Sequence, residues 1–105
     1  MAKFLLVYHG GGMPESEEEQ QRVMEAWTDW YSGLGAAIVD PGNPIGRAAT
    51  IASDGSVSDG GGANPASGYT VIEADSVDDA VAKSKGSPIL QSGGSVEVAE
   101  TFDIM

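Results

Sequence analysis

Phe4-Leu5-Leu6-Val7-Tyr8 is an unbroken apolar and aromatic run that ends at His9-Gly10-Gly11-Gly12. Successive side chains of a strand point to opposite sides, so a run with no polar alternate marks a strand covered on both faces. Residues 3–9 are read as the first strand. A second run, Tyr69-Thr70-Val71-Ile72-Glu73-Ala74, is β-branched and aromatic and reads as the other central strand.

The segments around these two strands supply the rest of the pattern. Pro14 suits a first helical turn, and Glu15, Glu17, Glu18 and Glu19 put negative charge where a helix has unpaired N–H groups. Val23, Trp27, Trp30, Tyr31 and Leu34 follow on one helical stripe, with Gly33 or Gly35 as the stop, which predicts a helix over residues 14–34. Ala36-Ala37-Ile38-Val39 reads as a short strand running into the irregular Asp40-Pro41-Gly42-Asn43-Pro44. Asp54-Gly55 centres a small, partly exposed hairpin within residues 47–58. Residues 58–68, rich in Gly, read as a long mobile loop leading to the end of the sheet where His9 emerges, and are expected to border a ligand cavity. Asp75 or Ser76 caps a second helix with Val77, Ala80 and Val81 facing inward, and Gly86 ends it. Ser87-Pro88-Ile89-Leu90 is a short connector, and residues 95–102 alternate as a half-exposed last strand.

The order strand, helix, strand, hairpin, strand, helix, strand predicts an α+β, ferredoxin-like domain: an antiparallel sheet with two helices on one face. Two-sided apolar strands leave the second face needing cover, and a second copy of so small a chain is the available cover. A homodimer packed sheet to sheet, an α/β barrel of two chains, is the expectation.

Composition bounds the function. With 105 residues the chain is read as a single domain over 1–105. Sixteen acidic against five basic residues give a net charge of −11, which repels phosphate backbones and anionic lipid, so neither nucleic acid nor membrane is an expected partner. No cysteine and a single histidine leave no thiolate chemistry and no expected metal site, and no cofactor motif stands out. The acids at residues 15–19 point to different sides of a helix and read as a solvated face. Gly10-Gly11-Gly12 before a helix lacks the Lys of a phosphate loop and precedes repelling acids. The apolar run at the N-terminus is too short for a signal or a membrane span, and a soluble, unprocessed cytoplasmic protein is expected.

His9 is the candidate general base, at the end of a strand against a glycine-rich loop, and Asp59 or Asp40 is the candidate carboxylate to orient it. An Asp before Gly also caps its own loop, which is the competing reading of Asp59. Tyr8, Trp27 and Tyr69 are candidate ligand contacts, although the Trp27, Trp30, Tyr31 stripe equally suits plain core.

The chain resembles the YCII-related proteins, in particular their DGPF subgroup, over nearly its whole length. The resemblance rests on Lys3-Phe4-Leu5-Leu6-Val7-Tyr8, on Gly68-Tyr69-Thr70-Val71-Ile72-Glu73-Ala74-Asp75-Ser76-Val77-Asp78-Asp79-Ala80, and on Gly93-Gly94-Ser95-Val96-Glu97-Val98. The subgroup's Asp-Gly-Pro-Phe survives as Asp59-Gly60, with Gly61 and Gly62 in place of Pro and Phe. The resemblance implies a dimeric α/β barrel. Some relatives pair a His on the first helix with an Asp before a Pro that follows the second helix; here the nearest positions hold Met24 and Ser87, so the dyad is absent. The resulting expectation is a protein that binds a small organic molecule in a cavity of a homodimer. The alternative is an enzyme doing acid/base chemistry, a lyase, isomerase or dehalogenase-like elimination, with His9 as base.

Overall fold

The computed structural model describes residues 2–12 and 15–103. In chain order the elements are β1 (Ala2–His9), α1 (Glu17–Leu34), β2 (Ile38–Asp40), β3 (Ala49–Ile51), β4 (Val57–Asp59), β5 (Ala66–Ala74), α2 (Val77–Ser84) and β6 (Ser95–Glu100). The main sheet is antiparallel in the order β2-β5-β1-β6, and β3 with β4 forms a separate hairpin. This is the ferredoxin-like α+β topology that the order of segments predicts, with the hairpin inserted between β2 and β5.

Strand alternation builds the core. Phe4, Leu6 and Tyr8 of β1 and Thr70, Ile72 and Ala74 of β5 are buried beneath the helices, where Trp27, Trp30 and Leu34 of α1 and Ala80 of α2 meet them. Lys3, Leu5, Val7 and His9 take the other face, in register with Glu73, Val71 and Tyr69 on β5 and with Ala99, Glu97 and Ser95 on β6. The molecule measures 43 × 42 × 18 Å, and 18 Å is the depth of one sheet and one helix layer. The second sheet face therefore has no layer of the described residues over it.

Helix α1 starts at Ser16, whose Oγ accepts from the Glu19 N–H at 3.2 Å while the Glu19 carboxylate accepts from the Glu15 N–H at 3.4 Å. It ends at Gly35, whose N–H reaches the Tyr31 carbonyl. Pro14, read as part of its first turn, lies outside the described residues. Trp30 ties α1 to α2 by donating its indole N–H to the Lys83 carbonyl at 3.2 Å.

Several boundaries differ from the sequence expectation. Gly35–Ala37 is a 3₁₀ turn, so β2 begins only at Ile38. The segment 58–68 is largely strand: Ser58 and Asp59 close β4, and Ala66 already pairs with His9, leaving a loop of residues 60–65. Backbone pairing explains the difference, because Gly68 opposite Tyr8 and Pro44, and Ser67 accepting from the Ile45 N–H at 2.9 Å, extend β5 past its apolar run. Pro88–Leu90 is a 3₁₀ turn, Val77 at the start of α2 is 45% exposed rather than inward, and β6 stops at Glu100, short of an exposed Phe102.

Candidate functional site

A cavity of about 460 Å³ opens between α1 and the end of the sheet where β1 finishes. That is within the size range of small-molecule sites. Met24, Trp27 and Tyr31 of α1 form one wall, Tyr8 and Gly68 the floor, and the turn at residues 42–44 with Ile89 the rim. Trp27 stands edge-on to Tyr8 with ring centroids 5.2 Å apart and lies 5.7 Å from Tyr31, so the helical stripe supplies core and cavity wall together. Gly42 holds the rim close to β5: its φ is +76°, and a Cβ there would fall onto the Tyr69 carbonyl oxygen.

Beneath the aromatic wall runs a chain of hydroxyls. The Tyr8 OH donates to Thr70 Oγ1 at 2.7 Å, Thr70 Oγ1 donates to the Pro41 carbonyl at 3.0 Å, and the Tyr31 OH donates to the same carbonyl at 3.2 Å. Burial pushes the Tyr8 phenol up to about 12, outweighing the hydrogen bond to Thr70 that favours its anion. The floor is thus a neutral phenol. Ser67 Oγ, on the cavity wall, is buried without a hydrogen-bond partner among the described residues.

The candidate residues fall into two groups. Tyr8, Trp27 and Tyr69 all border the cavity, Tyr69 at the rim beside Gly42. His9 does not, because alternation along β1 turns it to the opposite sheet face. Its side chain is 13% exposed; Nδ1 lies 3.1 Å from the Asn64 carbonyl oxygen and 3.3 Å from that of Pro65, and Nε2 lies 3.3 Å from Glu97 Oε1. Every partner is an acceptor, and a neutral ring with one N–H serves only one side.

Neither proposed orienting carboxylate meets that ring. Asp40 accepts from the Gly42 N–H at 2.9 Å and so shapes its own turn. Asp59 is at the root of the hairpin, 94% exposed and 3.9 Å from Arg47. The carboxylate at His9 is Glu97, which the sequence reading passed over as the outward residue of an alternating strand. Only sheet register reveals it: Val7 lies opposite Glu97 and His9 opposite Ser95, so Glu97 is diagonal to His9 on one face. The loop at residues 60–65 follows the same division, since it meets His9 at its end while the cavity is lined by Ser67 and Gly68 instead.

Among the described residues no three His, Asp or Glu come together as a metal ion would require, and no helix is long and apolar enough to cross a membrane. No family model matches the chain, and no curated protein matches it. A solved structure is similar: 5-chloro-2-hydroxyhydroquinone dehydrochlorinase (TftG) from Burkholderia phenoliruptrix AC1100, in complex with 2,5-dihydroxybenzoquinone. It is 20% identical, with a TM-score of 0.56 over 96% of this chain and 93% of that chain. The likeness is one of fold. It agrees with the ferredoxin-like topology seen here from end to end.

Proposed function

We propose that the chain is a YCII-related protein of the DGPF subgroup that binds a small, flat organic molecule in the α1 cavity of each protomer of a homodimer. The observation that carries the reading is the cavity itself. Aromatic walls suit a ring. The cavity lining includes no carboxylate and no imidazole, and its buried phenol Tyr8 is held neutral. Those groups suit binding better than proton transfer. The solved neighbour is in complex with a molecule of this kind, a dihydroxylated six-membered ring. Dimerisation is supported by the 18 Å slab, whose uncovered face carries Leu5, Val7, Val71 and Ala99.

A second reading has its own observation, the His9–Glu97 contact at 3.3 Å. In it His9 acts as base in an elimination, with Glu97 orienting the ring, and the substrate lies against the open sheet face rather than in the α1 cavity. That the solved neighbour is a dehydrochlorinase supports that chemistry.

A thermal-shift screen of hydroxylated benzenes and quinones on wild type, Trp27→Leu and His9→Ala separates the two, because a ligand that binds only the folded state raises its melting temperature. Shifts lost in Trp27→Leu and kept in His9→Ala support the cavity. Chloride release from a chlorinated hydroxyhydroquinone that vanishes in His9→Ala supports the elimination instead. Light scattering at micromolar concentration tests the dimer, and a monomer there would overturn that part of the reading.

A further inference from the structure

A second, more polar chamber of about 390 Å³ adjoins the aromatic cavity, and the two share Gly12, Val23 and Ser92 as walls. Arg22 lines this chamber with Gln91 and Ser92, and among the described residues it is the single basic one bordering either space. Its sequence neighbours make its direction informative. Glu18 is one helical turn before it and Glu25 nearly one turn after, the spacings at which helix ion pairs form. Among the described residues, none of the ion pairs involves Arg22. Glu19 also borders the chamber, its carboxylate accepting from the Glu15 N–H at 3.4 Å, so Arg22 must hold an anion there against the repulsion of this acid. Arg22, Gln91 and Ser92 are exposed and all three border this one chamber.

We propose that the ligand is a small aromatic acid, with its ring against the Trp27 wall of the aromatic cavity and its carboxylate on Arg22 in the adjoining chamber. The proposal rests on the reading of the aromatic cavity as a ligand site and adds the ligand's charge to it. A guanidinium offers two parallel N–H groups in the geometry of a carboxylate, and the Gln91 amide and Ser92 hydroxyl supply neutral donors beside it. The shared walls let one molecule occupy both chambers. A neutral ring of the same size would fill the first chamber and leave the second to water.

Isothermal titration calorimetry on the full chain tests this with benzoate, phenylacetate and hydrocinnamate, each against its primary amide. At least one acid is expected to bind about tenfold more tightly than its amide, the effect of one charge-assisted contact at a partly exposed site. Arg22→Gln is then expected to weaken that acid by about tenfold and leave the amide unchanged, with Arg22→Lys between the two. Arg22 is exposed, so these variants fold. Equal affinity of acid and amide, or equal weakening of both in Arg22→Gln, would overturn the aromatic acid while the cavity reading stands. Failure of every acid and every amide to bind would overturn both.

Discussion

Tyr8 ties the core to the candidate site, and its phenol gives the sharpest quantitative expectation. An unfolded tyrosine ionises near its ordinary 10.0, whereas burial pushes folded Tyr8 up to about 12. Between those values the unfolded chain has released a proton that the folded chain keeps, so it binds fewer protons and stability falls as pH rises. The full contribution is present below the ordinary value and is lost progressively up to the folded one. At about pH 11, midway, the unscreened loss is RT ln 10, about 1.4 kcal/mol, and allowing for solvent screening leaves about 1 kcal/mol.

The assay is urea unfolding of wild type and Tyr8→Phe at about pH 9 and about pH 11, with the variant cancelling whatever the rest of the chain contributes. At the lower pH Tyr8→Phe is expected to be less stable by about 1 kcal/mol, because it removes the 2.7 Å bond to Thr70. At the higher pH that deficit should shrink towards zero. Absorbance titration of tyrosinate should in parallel show one late phase that is missing in Tyr8→Phe. A deficit unchanged with pH, or a wild-type titration without that late phase, would refute the buried, neutral floor.

Leu6→Ala removes a fully buried side chain at the centre of β1 and is expected to cost about 2–5 kcal/mol, read by denaturant midpoint. Gly42→Ala places a Cβ on the Tyr69 carbonyl in a left-handed backbone. It should cost more than the roughly 1–2 kcal/mol of that conformation alone and weaken any ligand bound under the rim, by calorimetry. Asp79 is held below the ordinary carboxylate range first by the hydrogen bond from Lys83, then by the Asp75 N–H. Its contribution is therefore present above that range and lost as pH falls below it, and melting curves of Asp79→Asn should fall below wild type at neutral pH, with the gap closing progressively in acid.

The fold was legible because its signals are local and periodic. The unbroken residues 4–8, the stripe from Val23 to Leu34, and Ser76 ahead of Asp79 each identify an element from a few neighbours, and their order limits the topology to few choices. The site was legible in part. Aromatic residues at helical spacing reveal that Trp27 faces the sheet, but not whether the space before it is filled. That depends on Gly68, the turn at residues 42–44 and Ile89, which meet Trp27 from distant parts of the chain.

The sequence by itself determined an antiparallel sheet under two helices, because hydrophobic period and capping chemistry act within one element. Only the tertiary structure decided that His9 and the cavity lie on opposite faces, that Glu97 rather than Asp40 or Asp59 stands beside the imidazole, and that β5 begins at Ala66. The physical reason is register. A strand's alternation fixes which residues share a face, but which carboxylate lands diagonal to a histidine is set by hydrogen bonds to another strand some 90 positions away, and no local preference encodes that pairing.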